Sequence, residues 1–109
     1  MSGNWEKLTD NIYIEKDSIK KYKYTISGWF KMYSSEDTAL YYDNTEYYSL
    51  IQYEADCVSP ALCLLHIKEF DKNDILLLDE PNEHNVCYNG PGGWIHGEVA
   101  YKALCKFWK

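Results

Sequence analysis

The sequence predicts an α+β fold, in which an antiparallel β-sheet meander of five to six strands carries one C-terminal α-helix packed on it. Three observations predict it. Residues 22–32, 47–57 and 63–70 alternate apolar with polar side chains, the pattern of half-buried strands. Clusters of Pro, Asn, Asp and Ser separate the later runs, as tight connections require. After Gly90-Pro91-Gly92-Gly93 the period changes: Tyr101, Leu104, Cys105 and Trp108 recur at i, i+3, i+4 and i+7, one face of a helix.

Trp5 and Asn11 to Glu15 read as a first short strand, with Lys16-Asp17-Ser18 as a turn. From Tyr22 to Met32, residues Tyr22, Tyr24, Ile26, Phe30 and Met32 share one side; Lys23, Thr25, Ser27, Trp29 and Lys31 share the other. Gly28 within this strand marks a bulge or a close approach of another element. Residues 34–46 form a polar, acidic connection. Tyr47 to Cys57 is the next strand, turned at Ser59-Pro60, and Cys63 to Phe70 follows. Asp71-Lys72-Asn73-Asp74 is a hairpin loop, with Asn73 suited to the left-handed position. Ile75 to Leu78 returns, and Asn85 to Tyr88 is a short edge strand. The final helix runs from Glu98, with Glu98 and Lys102 as a favourable i, i+4 pair. His96 and Gly97 are poor capping residues, so Trp94 is expected to seat the helix start by burying its indole on the sheet.

At 109 residues the chain is read as a single domain spanning residues 1–109. Aromatic residues make up 17% of it, and the formal charge is −6. That balance argues against nucleic acid as the partner, because phosphate binding needs a cationic face. No apolar run approaches the length of a membrane span, and no signal peptide is read at the N-terminus. The four cysteines suit a disulfide framework in an oxidising compartment, and they allow three connectivities. A competing reading is zinc: Cys63-Leu64-Leu65-His66 and His84-Asn85-Val86-Cys87 form a mirrored Cys-x-x-His pair. Residues three apart on a regular strand point to opposite faces, so that set would require a bulge. No metal and no cofactor is assigned.

Trp5, the segment Tyr13-Ile14-Glu15-Lys16-Asp17-Ser18-Ile19, and Trp29 with Lys31 together resemble the surface-adhesin protein E-like family of bacteria. Glu54-x-Asp56-Cys57, Phe70-Asp71, and Trp94-Ile95 leading to Glu98 and Cys105 extend the resemblance over nearly the whole chain. It implies a sheet of about six antiparallel strands with a packed C-terminal helix, export to the periplasm or cell surface after removal of a signal, and adhesion to host extracellular proteins. It also implies a Cys57–Cys105 bridge, which leaves Cys63 to pair with Cys87, and it points to a homodimer. In the chain-entropy account a bridge closing nearly fifty residues contributes up to about 4 kcal/mol.

No residue is assigned a catalytic role, since Cys63, Cys87, His66, His84 and His96 form no local nucleophile signature. Candidate partner-binding residues are Tyr41, Tyr42, Tyr47 and Tyr48 flanking the acidic Glu36, Asp37, Asp43 and Glu46. A second set is Lys20, Lys21 and Lys23, with Lys16 and Lys31, expected near one sheet edge. The leading expectation is a non-enzymatic, disulfide-stabilised binding domain of a bacterial envelope protein. The alternative is a small acidic cytoplasmic inhibitor or immunity protein that neutralises a cognate toxin or defence enzyme by direct binding.

Overall fold

Alternate apolar residues on consecutive strands build one buried layer, and a helix rich in small residues closes it. The computed structural model describes residues 3–33, 47–81, 87–89 and 95–108, without the side chains of Tyr88, Asn89, Ile95 and His96. The elements are β1 (Trp5–Lys7), β2 (Ile12–Lys21), β3 (Thr25–Tyr33), β4 (Tyr48–Asp56), β5 (Ala61–Phe70), β6 (Leu76–Pro81), β7 (Cys87–Asn89) and α1 (Ile95–Trp108). Strands β1 to β6 lie in sequence order as an antiparallel meander, and β7 also pairs with β5. The outer edge of β5 is therefore divided, with residues 66–70 against β6 and residues 61–63 against β7.

The core joins Ile12 and Ile14 of β2, Ile26, Phe30 and Met32 of β3, Ile51, Tyr53 and Ala55 of β4, and Leu62 of β5 to Ala100, Ala103 and Leu104 of α1. The α+β meander with its packed helix thus matches the class expected. The buried stripe of α1 is Gly97, Ala100, Ala103 and Leu104, while Tyr101, Cys105 and Trp108 are only partly buried beside it. The stripe is displaced from the one read from the large side chains, because small residues let the helix backbone approach the sheet. Gly28 serves the same approach. A Cβ there would stand 3.1 Å from Leu104 Cδ2, while Gly28 itself pairs in register with Tyr53.

Several boundaries differ from the sequence reading for local reasons. Lys16-Asp17-Ser18 does not turn the chain; it is an irregularity inside β2, whose register with β3 slips between Glu15 and Lys20. Ser18 Oγ bridges the gap by donating to the Glu15 carbonyl (2.6 Å) and accepting from the Trp29 amide (2.9 Å). A side-chain hydroxyl here does the work of a backbone partner, so the strand continues. The turn falls instead at residues 22–24, where the Tyr22 amide donates to the Thr25 carbonyl (2.7 Å). Tyr22 and Tyr24 are accordingly exposed, rather than continuing the buried side of β3.

At the β5–β6 hairpin the left-handed residue is Asp74 (φ 63°), not Asn73. Asp71 organises this loop, its Oδ1 accepting from the amides of Asn73 (2.8 Å) and Ile75 (3.0 Å). The Asp74 amide in turn donates to the Asp71 carbonyl, which places Asp74 in the bulge position after the turn. Helix α1 begins at Ile95, so His96 and Gly97 lie inside its first turn rather than before it. The Glu98–Lys102 pair forms at 3.0 Å. Trp94, expected to seat the helix, lies outside the described residues.

Candidate binding face

Because side chains alternate across a strand, the residues not facing α1 build a second face. Reading across the ladders, one row of this face runs Trp5, Glu15, Trp29, Gln52, His66. The next runs Tyr13, Lys31, Leu50, Lys68, Asp79, and a third runs Tyr33, Tyr48, Phe70, Leu76. Among the described residues, no second layer of secondary structure packs on this face. Its centre is nonetheless closely packed: Leu50, in register between Lys31 and Lys68, is only 4% exposed.

The rings pack edge to face and by stacking. Tyr48 stacks on Phe70 with centroids 4.9 Å apart, and Tyr33 meets Tyr13, Tyr47 and Tyr48 at 5.6 to 6.0 Å. Trp29 lies 5.4 Å from the His66 ring, and His66 Nε2 contacts Asp79 Oδ1. Lys31 Nζ stands over three rings, Tyr48 at 4.6 Å, Tyr33 at 5.3 Å and Trp5 at 5.9 Å. Lys68 Nζ stands 5.7 Å over Trp29. These distances are those of cation–π attraction, which orients each ammonium over the face without supplying a hydrogen-bond acceptor.

Two clefts open here and share Trp5 and Leu50. One, of about 230 Å³, is completed by Glu15, Ser18, Trp29 and Lys68. The other, of about 320 Å³, is completed by Lys31, Tyr48, Phe70 and Asp74. Each therefore holds one lysine and one carboxylate. The carboxylates are engaged within the chain: Glu15 Oε1 accepts from the amides of Asn4 (3.1 Å) and Asp17 (2.9 Å), and Asp74 Oδ1 accepts from the Tyr48 hydroxyl (2.8 Å).

The Tyr48 contact has a measurable signature. Burial, then the hydrogen bond to Asp74 and the negative charge of that carboxylate, push the Tyr48 phenol up from 10.0 to about 12. The folded value lies above the unfolded one, so this site's contribution to stability is complete below pH 10 and is lost as pH rises through about 12. Tyr48→Phe should remove one tyrosinate absorbance step near pH 12 and cost about 1 kcal/mol at neutral pH, the net value of one hydrogen bond. An unchanged alkaline step would place the Tyr48 hydroxyl in water.

Of the residues singled out from sequence, Tyr47 is exposed at the rim of the ring cluster and Tyr48 is buried within it. Tyr41, Tyr42, Glu36, Asp37, Asp43 and Glu46 lie outside the described residues. Lys20, Lys21 and Lys23 are exposed around the β2–β3 turn, with Lys23 Nζ over the Tyr24 ring at 5.3 Å. Lys31 does not join them at an edge; it sits mid-sheet. Trp5, Trp29, Leu50, Phe70, Lys68 and Asp74 were not assigned a binding role from sequence. The available signal was that the nominally solvent side of β3 and β4 carries rings and a Leu, not only polar residues.

Both bridges form, Cys57–Cys105 from the end of β4 to α1 and Cys63–Cys87 directly across the β5–β7 pair. The strand bulge that the zinc reading required does exist. Gln52 pairs with His66 and Tyr53 with Leu64, so Leu65 is the extra residue and Cys63 shares a face with His66. The sulfurs of Cys63 and Cys87 are nevertheless consumed by their own bridge, so they are not thiolate ligands in this state. Among the described residues, no helix is long and apolar enough to cross a membrane.

Fold and face together define a doubly bridged α+β domain that buries one side of its sheet under a helix and presents rings and lysines on the other. No protein-family model, curated protein or solved structure matches the chain.

Proposed function

We propose that the chain is a non-enzymatic binding domain of a bacterial envelope or cell-surface protein, which holds a host extracellular protein on the open face of its sheet. The observation that carries this reading is the face itself. Large rings supply contact area at low entropic cost, and here strand register holds them in place before any partner arrives. The two disulfides are compatible with an oxidising, exported location such as the periplasm or cell surface. The test is saturable binding to immobilised extracellular-matrix proteins. Trp29→Ala should abolish binding while leaving the far-ultraviolet circular dichroism unchanged. Equal binding by this variant would remove the face from the reading.

The homodimer belongs to this proposal and has a candidate surface at the β6 edge, where two rows of the open face end. Strand β6 ends the sheet order, and Ile75 just before it and Leu76 and Leu77 at its start are each about half exposed. Leu77 is the extra residue of a bulge, since Glu69 pairs with Leu78 and Phe70 with Leu76. Lys72 lies at one end of this apolar patch, with Asp79 and Glu80 at the other, so a two-fold axis brings opposite charges together. Light scattering at tens of micromolar should give a dimer mass, and Leu77→Lys should give a monomer. A monomer mass for the unaltered chain removes the dimer.

A further inference from the structure

We propose that the open face selects an acidic peptide segment of its protein partner, with Lys31 and Lys68 each receiving one carboxylate and the segment's apolar part resting on Trp5, above the buried Leu50. This deepens the binding reading and rests on it.

The charged groups on the face are unequally occupied. The carboxylates that line the two clefts already have partners in the chain, Glu15 taking two amides and Asp74 the Tyr48 hydroxyl, and Asp79 beside Lys68 contacts His66. The face's two half-buried lysines have none of that kind. Among the described residues, the ammonium of neither Lys31 nor Lys68 makes an ion pair or donates a hydrogen bond, and rings are their only charge-orienting contacts. An ammonium carries three N–H donors and no acceptor, and an aromatic face satisfies its charge without accepting those hydrogen bonds in the way a carboxylate does. In the two clefts, the groups left to be completed by a ligand are therefore donors and cations.

Register then sets the spacing. Lys31, Leu50 and Lys68 are direct partners across β3, β4 and β5, so the two lysines flank Leu50 at about 10 Å between backbones, two strand separations. Each lysine serves one cleft, and the clefts share Trp5 and Leu50. A ligand that fills both carries two acidic groups separated by a short apolar spacer. Nucleic acid fits less well. It presents an unbroken row of phosphates, whereas the face offers two separate ammoniums flanking an apolar Leu50.

The experiment is a nuclear magnetic resonance titration of the intact, oxidised chain with three terminally blocked tripeptides, Glu-Leu-Glu, Gln-Leu-Gln and Lys-Leu-Lys, and with oligothymidylate. Glu-Leu-Glu is expected to shift the Trp5 and Trp29 indole signals and the Lys31 and Lys68 side-chain signals in the millimolar range. Gln-Leu-Gln should bind about tenfold more weakly and Lys-Leu-Lys not at all. Lys31→Gln and Lys68→Gln should each weaken Glu-Leu-Glu several-fold, and the double variant about tenfold or more, with the remaining spectrum unchanged.

Equal affinity for the Glu and Gln peptides, or undiminished binding by the double variant, overturns the inference. So does the absence of any shift on the face, and so does tighter binding of oligothymidylate than of Glu-Leu-Glu. The matrix-protein assay keeps the two proposals apart: partner binding lost in Trp29→Ala but retained in the double lysine variant ends the acidic-segment inference and leaves the binding face standing.

Discussion

Phe30→Ala should cost about 3 to 5 kcal/mol, the largest effect expected from any single side-chain truncation in the described sheet. Phe30 is 0% exposed at the middle of β3, where it pairs with Ile14 on one side and Ile51 on the other. Its ring meets Tyr53 edge to face at 5.8 Å, and both belong to the core cluster that includes Ala100 and Leu104 of α1. Truncation therefore removes a buried ring and leaves a cavity that two β-ladders and a helix must close. Those ladders are pinned by backbone hydrogen bonds, so the neighbours can collapse only partly, which places the cost in the upper part of the range for large-to-small changes. Urea unfolding of the oxidised chain measures it through the midpoint at constant slope. A loss below about 1 kcal/mol would mean that Phe30 is not in the core.

The layer beneath the helix was legible because it obeys one rule. Ile26, Phe30 and Met32 alternate with polar or amphipathic neighbours, as do Ile51, Tyr53 and Ala55, and period two then dictates a sheet with one buried side. The same rule concealed the candidate site. It assigns Trp29, Lys31 and Lys68 to the solvent side, and it does not distinguish a merely wet face from one where Leu50 is buried between two lysines in register. Long-range register is what brings Trp5, Trp29 and Lys68 together, and no local window contains it. The course of β2 was missed for a different reason. Lys16-Asp17-Ser18 carries genuine turn chemistry, but Ser18 spends its hydroxyl on the Glu15 carbonyl and the Trp29 amide, so tertiary pairing overrides a local preference. The helix stripe was displaced because large residues were taken as the inward ones, whereas the buried face of the helix is built on Gly97, Ala100 and Ala103, with Leu104 over Gly28.

Cys105→Ser, with Cys57→Ser to avoid a lone thiol, should cost about 4 kcal/mol, because the bridge spans a sequence separation of 48 residues and its removal frees a loop of that length in the unfolded chain. The Cys63–Cys87 bridge closes only 24 residues, for about 3.5 kcal/mol in the same account. The two should also differ in what they release. Cys57 and Cys105 pack against the core, and of the two bridges theirs is the one that cross-links the described sheet to α1. Cys87 is exposed, and its bridge joins two strands already paired through backbone hydrogen bonds. Mild reductant should therefore open Cys63–Cys87 first, since attack on a disulfide requires access to its sulfur. Loss of Cys57–Cys105 should raise amide exchange in residues 98–107 before the central strands β3 and β4 respond, because the helix can then lift while the ladders hold. Hydrogen exchange read by mass spectrometry on the Cys57→Ser/Cys105→Ser variant measures this directly. Uniform loss of protection across helix and strands would show that the helix and sheet unfold as one unit and that the bridge stabilises the whole rather than the contact it spans.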